Sequence, residues 1–297
     1  MARSRGVSRT ASGAALCRLV EQQQPPGLRQ VDDPVVATVL DPILVMVSGV
    51  EAMQRAFLDS LPAGTCGGVV MRTRYIDDVV TAWAESGRTQ VVILGAGLDT
   101  RAHRLSCLAR CTVFEADLPE IQREKRSRLR AVPARAEEVR YVGIDFETQP
   151  LPDALAAAGF DAGLPALFVW EGVTQYLSEP AVRSTMAFVA GCAPGSMLVF
   201  TYVLPSLVGD GAYQGWSDPF TQQLAATEPW IFGIEPTDLE AFLTTSGLTL
   251  IDHVGVPEYR SRYLDPAGRR LEVNPGERVA LAGVRAERHP PSGDAPS

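Results

Sequence analysis

The stretch Gln90–Arg101, reading QVVILGAGLDTR, constrains this chain more than any other. Val91, Val92, Ile93 and Leu94 form an apolar run without alternation, the pattern of a strand buried on both faces of a parallel sheet. The run stops at Gly95-Ala96-Gly97. Two glycines one residue apart permit a tight turn and let a ligand lie against bare backbone. The next apolar run, Cys111–Asp117, ends in an acid 20 residues beyond Gly97. An acid at that tip can accept hydrogen bonds from two ribose hydroxyls. The pattern predicts a nucleoside-bearing cofactor over the carboxyl ends of parallel strands.

The motif is G-x-G-x-x-T, with Thr100 where the dinucleotide fingerprint has a third glycine. Asp99 would repel a diphosphate. A nucleoside cofactor without phosphate fits better, and S-adenosyl-L-methionine is the common one. An NAD(P)-dependent oxidoreductase is the rival enzyme. It requires the missing third glycine and a Tyr-x-x-x-Lys pair, and the chain contains no such pair. A catalytically silent cofactor-binding protein is the rival of another class.

Residues 1–30 are rich in Arg, Ser, Ala and Gln and end in Pro25-Pro26-Gly27, which predicts a flexible tail with a short helix near Ala14–Gln22. Residues 31–287 read as a single domain. Asp33-Pro34 and Asp41-Pro42 each look like an N-cap followed by a first-turn proline. Val69–Glu85 is an amphipathic helix carrying Arg72 and Arg74. His103–Leu108 is expected to be the first crossover helix. The charged run Glu120–Arg130 reads as a helix with a solvated face. Val139–Phe146, Ala166–Trp170 and Met197–Val203 follow as strands, alternating with helices. That rhythm implies right-handed βαβ units and a mostly parallel α/β sheet. Leu204–Ile234 breaks it with Tyr213, Trp216, Phe220, Trp230 and Phe232, and is expected to cover a pocket. Leu248–His253 and Val279–Arg285 are two final strands. Residues 288–297 read as a disordered tail.

The net charge of −8 argues against a nucleic-acid partner. The longest apolar stretch, Val35–Val50, is interrupted by Asp41-Pro42 and too short to span a membrane, so a cytoplasmic protein is expected. Five cysteines, odd in number and irregularly spaced, suggest neither a zinc site nor a disulfide framework. His103, His253 and His289 read as packing or surface residues. Oligomeric state is not legible.

Five pieces of sequence line up with one family. They are Arg72-Thr73-Arg74 with Ile76-Asp77, LGAGLDTR at 94–101, FEADLP at 114–119, Asp145-Phe146, and EGVTQYL at 171–177. On these residues the chain resembles the leucine carboxyl methyltransferase superfamily, and within it the bacterial O-methyltransferases of tetracenomycin-type polyketide pathways. The resemblance implies a class I methyltransferase fold, Rossmann-like and mostly parallel, with a terminal antiparallel hairpin and extra N-terminal helices. It implies S-adenosyl-L-methionine as cofactor. It assigns Arg72 to the methionine carboxylate, Gly95 and Gly97 to the floor beneath the methionine, and Asp117 to the ribose. Asp145 and Phe146 would meet the adenine, and Glu171 would face the cofactor's amino group. Phe146 stands where the family often has leucine, which would let it stack on adenine.

Several charges have a plainer reading. Arg74 and Arg101 could be helix-surface residues, Glu115 a partly exposed strand charge, and Asp145 a turn former. The implied reaction is methyl transfer to an oxygen of a small acceptor, a carboxylate or a phenol. A carboxylate needs no general base because it is already anionic near neutral pH. Tyr176 and Tyr202 are the acceptor-side candidates, by position alone. The aromatic content of the cover suggests a flat, apolar acceptor such as an aromatic polyketide acid.

Overall fold

The computed structural model describes residues 9–209 and 228–284. Five helices come first: α1 (Arg9–Gln22), α2 (Val36–Val39), α3 (Pro42–Ser48), α4 (Glu51–Ser60) and α5 (Thr65–Glu85). Then β1 (Gln90–Leu94), α6 (Arg101–Arg104), β2 (Thr112–Asp117), α7 (Pro119–Leu129), β3 (Glu138–Gly143), α8 (Leu151–Ala157), β4 (Ala166–Trp170), α9 (Glu179–Ala190) and β5 (Met197–Val203) alternate. α10 (Leu239–Thr245), β6 (Leu248–Val254), α11 (Val256–Tyr259) and β7 (Glu277–Val284) close the domain.

The seven strands form one sheet in the order β3-β2-β1-β4-β5-β7-β6. The first five are parallel, and β7 runs antiparallel to both β5 and β6. This is the mostly parallel α/β sheet with a terminal antiparallel hairpin that the resemblance implies. The order places the carboxyl ends of β1 and β4 side by side at the centre. Ligands of open α/β sheets bind there, where the strand order reverses.

Every residue of β1 and of β4 is buried, because helices cover both faces. Val92, Leu94, Phe114, Phe168, Trp170 and Phe200 pack into one core. Val91, Ile93, Val113 and Val169 point the other way and meet Met71, Ile76 and Val80 of α5. Among the described residues no helix is long and apolar enough to cross a membrane.

The N-terminal segment departs from the sequence expectation. Residues 9–22 are a packed helix, not part of a flexible tail. Ala11, Ala15 and Leu19 recur every four residues, so they share one helix face. Ala15 and Leu19 are buried against Val36, Val39, Leu40 and Leu98, with Ala11 packed beside them. Glu21 at the end of α1 accepts from Arg269 Nη2 at 2.6 Å and from the Gln30 amide at 2.6 Å. A disulfide joins Cys17 to Cys66 in the first turn of α5, where no disulfide was expected. The spacing of five cysteines could not show it, since the pair is brought together by α1 packing on α5. Cys107, Cys111 and Cys192 are free.

Other boundaries shift. The first crossover is a short helix, α6, and a 3₁₀ turn at Ser106–Arg110, in place of a helix over His103–Leu108. β3 ends at Gly143, so Asp145 and Phe146 stand in the loop beyond it. Asp33 is not a helix cap: it is fully buried and accepts from Arg18 Nε at 3.0 Å. Asp41 does cap, accepting from the Ile43 amide at 2.8 Å. Of the expected cover, Tyr213, Trp216 and Phe220 lie outside the described residues, as does the tail 288–297.

Candidate functional site

The turn after β1 is built as its glycines suggest. Gly95 and Gly97 have φ of +66° and +39°, in the region that side chains resist. A Cβ on Gly95 would stand 2.4 Å from Val173 Cγ2. The Gly97 amide donates to Asp117 Oδ2 at 2.6 Å, and the Leu118 amide donates to Oδ1 at 2.6 Å. Two backbone donors therefore aim one carboxylate at the tip of β2. Each oxygen keeps a further lone pair for a ligand hydroxyl. Burial raises the Asp117 pKa, against the pull of Gly97, Leu118 and the Lys125 charge.

One strand further out, the Ile144 amide donates to the Asp117 carbonyl at 2.9 Å, which brings Asp145 and Phe146 up beside Asp117. Asp145 Oδ1 accepts from the Glu147 amide at 3.0 Å, so it does form a turn. Phe146 is half-buried on the core.

On the other side of the turn lies a network of charges. Glu171 follows β4, and its Oε1 accepts from Arg72 Nε at 2.9 Å and from Thr73 Oγ1 at 3.2 Å. Arg101 Nη2 forms an ion pair with Glu171 Oε2 at 2.7 Å. Burial alone would raise the Glu171 pKa, but the Arg101 and Arg72 charges hold it well below the usual carboxylate range. Arg72 Nη1 donates to both oxygens of Glu277, at 2.7 and 2.6 Å. Arg101 also donates to Asp77 Oδ1 at 2.7 Å and pairs with Asp99. Arg104 Nη2 donates to the same Asp77 oxygen at 2.7 Å.

The network continues into α1. Thr100 Oγ1 donates to Asp33 Oδ2 at 2.7 Å, and Arg18 holds Asp33 on one side and the Leu98 carbonyl on the other, at 2.7 Å. Arg72 Nη2 makes no hydrogen bond among the described residues; it lies 3.1 Å from where a Cβ on Gly172 would stand. Gly172 thus gives the guanidinium its space.

Tyr176 ends the 3₁₀ turn after β4. Burial raises its pKa, against the pull of Thr10 of α1 and of Trp230 beside it. Thr10 Oγ1 donates in turn to Glu228. Tyr202 stands apart. It projects from β5 with Leu198 and Phe200, on the face opposite α5, and is fully buried. Its hydroxyl bonds His253 Nε2 at 2.5 Å, and that nitrogen also accepts from Arg278 Nε at 2.8 Å.

The structure thus brings Gly95, Gly97 and Asp117 into contact, joins Arg72 to Glu171, and seats Tyr176 nearby. It does not bring Tyr202 to them. Arg74 is half-exposed and pairs with Asp78 of its own helix. Arg101 is 2% exposed, not a surface charge. Glu115 is fully buried and accepts from Lys125 Nζ at 2.7 Å, so neither Glu115 nor the whole 120–130 run is solvated. Sequence reasoning missed Glu277 and Arg18, and gave Asp77 no role. Their signal lies in the fold, since each is distant in sequence from the turn it supports.

Residues 11–190 match the model of the leucine carboxyl methyltransferase family. A proposed S-adenosyl-L-methionine-dependent methyltransferase of Mycobacterium marinum is 32% identical over 263 residues, 86% of this chain and 83% of the relative. A similar protein of Mycolicibacterium smegmatis is 34% identical over 213 residues, 69% of this chain and 70% of the relative. Among solved structures, a DUF574 family protein from Streptomyces avermitilis superposes with a TM-score of 0.58 at 15% identity, covering 94% of this chain and 98% of that one. A proposed methyltransferase from Thermobifida fusca gives 0.53 at 16% identity, covering 95% and 96%. The fold and the turn define an α/β methyltransferase. The chain belongs to the leucine carboxyl methyltransferase family, whose methyl donor is S-adenosylmethionine.

Proposed function

We propose that this methyltransferase acts on an oxygen of a small apolar acceptor, a carboxylate in the first instance. The observation that carries the reading is the Arg72–Glu171 pair set beside the Gly95–Gly97 turn and the Asp117 tip. Those groups fit the cofactor. Asp117 keeps lone pairs for the ribose hydroxyls, and Gly95 and Gly97 leave bare backbone under the chain. Arg72 Nη2, which bonds no other described residue, can donate to a carboxylate in a charge-assisted hydrogen bond. Glu171 would face the amino group, and the Asp145–Phe146 loop would flank the adenine.

Bound S-adenosylmethionine supplies an electrophilic methyl group on a sulfonium that leaves readily. The protein's residues then have three tasks: to bind, to orient the acceptor, and to exclude water. Tyr176, Trp230 and Thr10 lie on the acceptor side. The raised pKa of Tyr176 keeps its phenol protonated, so it orients as a donor and does not remove a proton. The contacts described for Arg72, Glu171 and Tyr176 include no neutral base. An acceptor that arrives anionic suits such a site better than a phenol that must be deprotonated. The aromatic residues Trp230 and Phe232 favour a flat partner, of which an aromatic polyketide acid from secondary metabolism is one kind.

The test is transfer of a labelled methyl group to paired aromatic carboxylic acids and phenols. A methyl ester releases its label in alkali, whereas a phenyl ether does not. Alkali-labile product supports the carboxylate reading, and label only in alkali-stable product overturns it. Binding of NAD in place of S-adenosylmethionine would favour the oxidoreductase. Cofactor binding without transfer to any acceptor would favour a silent binder.

A further inference from the structure

We infer that Glu277 is a second carboxylate of the cofactor site, placed to hold the α-ammonium of the bound amino acid together with Glu171. This rests on S-adenosylmethionine being the ligand of the Arg72 site.

The placement comes from topology. β7 is antiparallel, so its first residue lies opposite the last residue of β5, with Val203 paired to Glu277. That pairing carries Glu277 to the sheet edge where the parallel strands end. Its side chain is 18% exposed, close to the 12% of Arg72 and the 11% of Glu171. Both of its oxygens contact Arg72 Nη1. A carboxylate has about four lone-pair sites, so two remain for another donor. Glu171 and Glu277 therefore flank one guanidinium whose Nη2 bonds no other described residue.

Charge counting points the same way. The linked network holds five carboxylates, of Asp33, Asp77, Asp99, Glu171 and Glu277. It holds four guanidiniums, of Arg18, Arg72, Arg101 and Arg104. One negative charge is left over in a mostly buried cluster, a costly arrangement unless a cation completes it. The methyl donor carries one net positive charge, since its ammonium and sulfonium outweigh its carboxylate. The product, S-adenosylhomocysteine, is neutral. A site with one surplus carboxylate prefers the donor and lets the product go. The buried Tyr259 also lies close enough to feel the charges of Glu277 and Arg72.

The experiment is calorimetric titration of wild type and Glu277→Gln with three probes. These are S-adenosylmethionine, S-adenosylhomocysteine and 5′-methylthioadenosine, which lacks the amino acid. Glu277→Gln is expected to weaken the donor by about tenfold or more, the loss of one charge-assisted contact. The product carries the same ammonium and should weaken too, but by less because it lacks the sulfonium charge, and methylthioadenosine should not change. Equal loss for all three probes would mean that Glu277 only props the scaffold, and unchanged or tighter donor binding would mean that it competes for Arg72; either result overturns the inference. Glu277→Asp keeps the charge, so it should preserve the donor-to-product affinity ratio even if both bind less well. Collapse of that ratio in Glu277→Asp would also overturn it. Failure of wild type to bind the donor at all would instead remove the underlying reading.

Discussion

Arg101 and Glu171 form an ion pair with Nη2 and Oε2 2.7 Å apart, which ties the segment after β1 to the end of β4. The other Glu171 oxygen takes Arg72, so one carboxylate links α5, the glycine turn and the central strand. This link fixes where the two halves of the site stand relative to each other.

Arg101 is therefore expected to be a keystone of stability. Removing it leaves Asp77, Asp99 and Glu171 short of a partner in a buried setting. Breaking a buried pair by deleting one member costs about 3–5 kcal/mol. Arg101→Ala should lose that much in urea unfolding at neutral pH. Arg101→Lys should recover little, because one ammonium cannot span three carboxylates in the way a guanidinium fork does. A loss below about 1 kcal/mol, the worth of a surface pair, would show that the network is solvated in solution.

Gly172→Ala tests the space around Arg72. Gly172 has φ of +68°, and a Cβ there would stand 3.1 Å from Arg72 Nη2. The left-handed conformation costs a non-glycine residue about 1–2 kcal/mol, and the guanidinium must also move. The expected result is a folded protein that binds methylthioadenosine normally and S-adenosylmethionine weakly. Equal binding of both by the variant would show that Arg72 does not hold the methionine end.

The strands and the glycine turn were legible because they obey local rules. An apolar run such as Val91–Leu94 can only be buried, and the positive φ of Gly95 and Gly97 is what a tight turn demands. What was not legible is long-range pairing. Glu277 reaches Arg72 across 205 residues, through a hairpin register that no local pattern encodes. α1 was obscured by polar composition: its buried face is narrow, and its order comes from Cys66, Arg269 and Leu98, all distant in sequence. Lys125 looked like one cation among many, and only the buried Glu115 opposite gives it a reason to be inside. Tyr202 is an acceptor-side candidate by position alone, and alternation along β5 turns it to the face opposite α5, where it meets His253.

The Cys17–Cys66 bond predicts a redox-dependent stability. It closes a loop with a sequence separation of 49 between α1 and α5. A loop of that length is worth about 4 kcal/mol by chain entropy, with measured values spanning about 2–4. The double variant Cys17→Ser, Cys66→Ser should therefore be less stable than the oxidised wild type by that amount in urea unfolding. Under reductant the two proteins should unfold together. A difference that persists under reductant would assign the effect to packing of the sulfur atoms.

Arg72→Ala should weaken S-adenosylmethionine by about 1.5–3 kcal/mol, the value of a hydrogen bond to a charged group. The variant also strips Glu171 and Glu277 of a shared partner, so thermal unfolding must be followed beside binding. Unchanged affinity in a folded variant would take Arg72 out of the site.

Cofactor affinity should depend on pH through Asp117. Burial raises its pKa above the ordinary 3.8, despite the Gly97 and Leu118 amides. For stability, a raised carboxyl contributes fully below its unfolded pKa, and that contribution is lost as pH rises through the folded one. Glu171 runs the opposite way: its depressed pKa gives stability above the unfolded value of about 4.3, lost as pH falls through the folded one. Binding follows a third rule, because only the ionised Asp117 accepts from both ribose hydroxyls. Affinity should fall by up to about tenfold per pH unit as pH drops through the Asp117 pKa, with the break above pH 3.8. Methylthioadenosine carries the ribose without the amino acid, so it should show the same break and keep Arg72 and Glu171 out of the measurement. Asp117→Asn should bind weakly at every pH and show no break. A break that survives in Asp117→Asn would place the titrating group elsewhere.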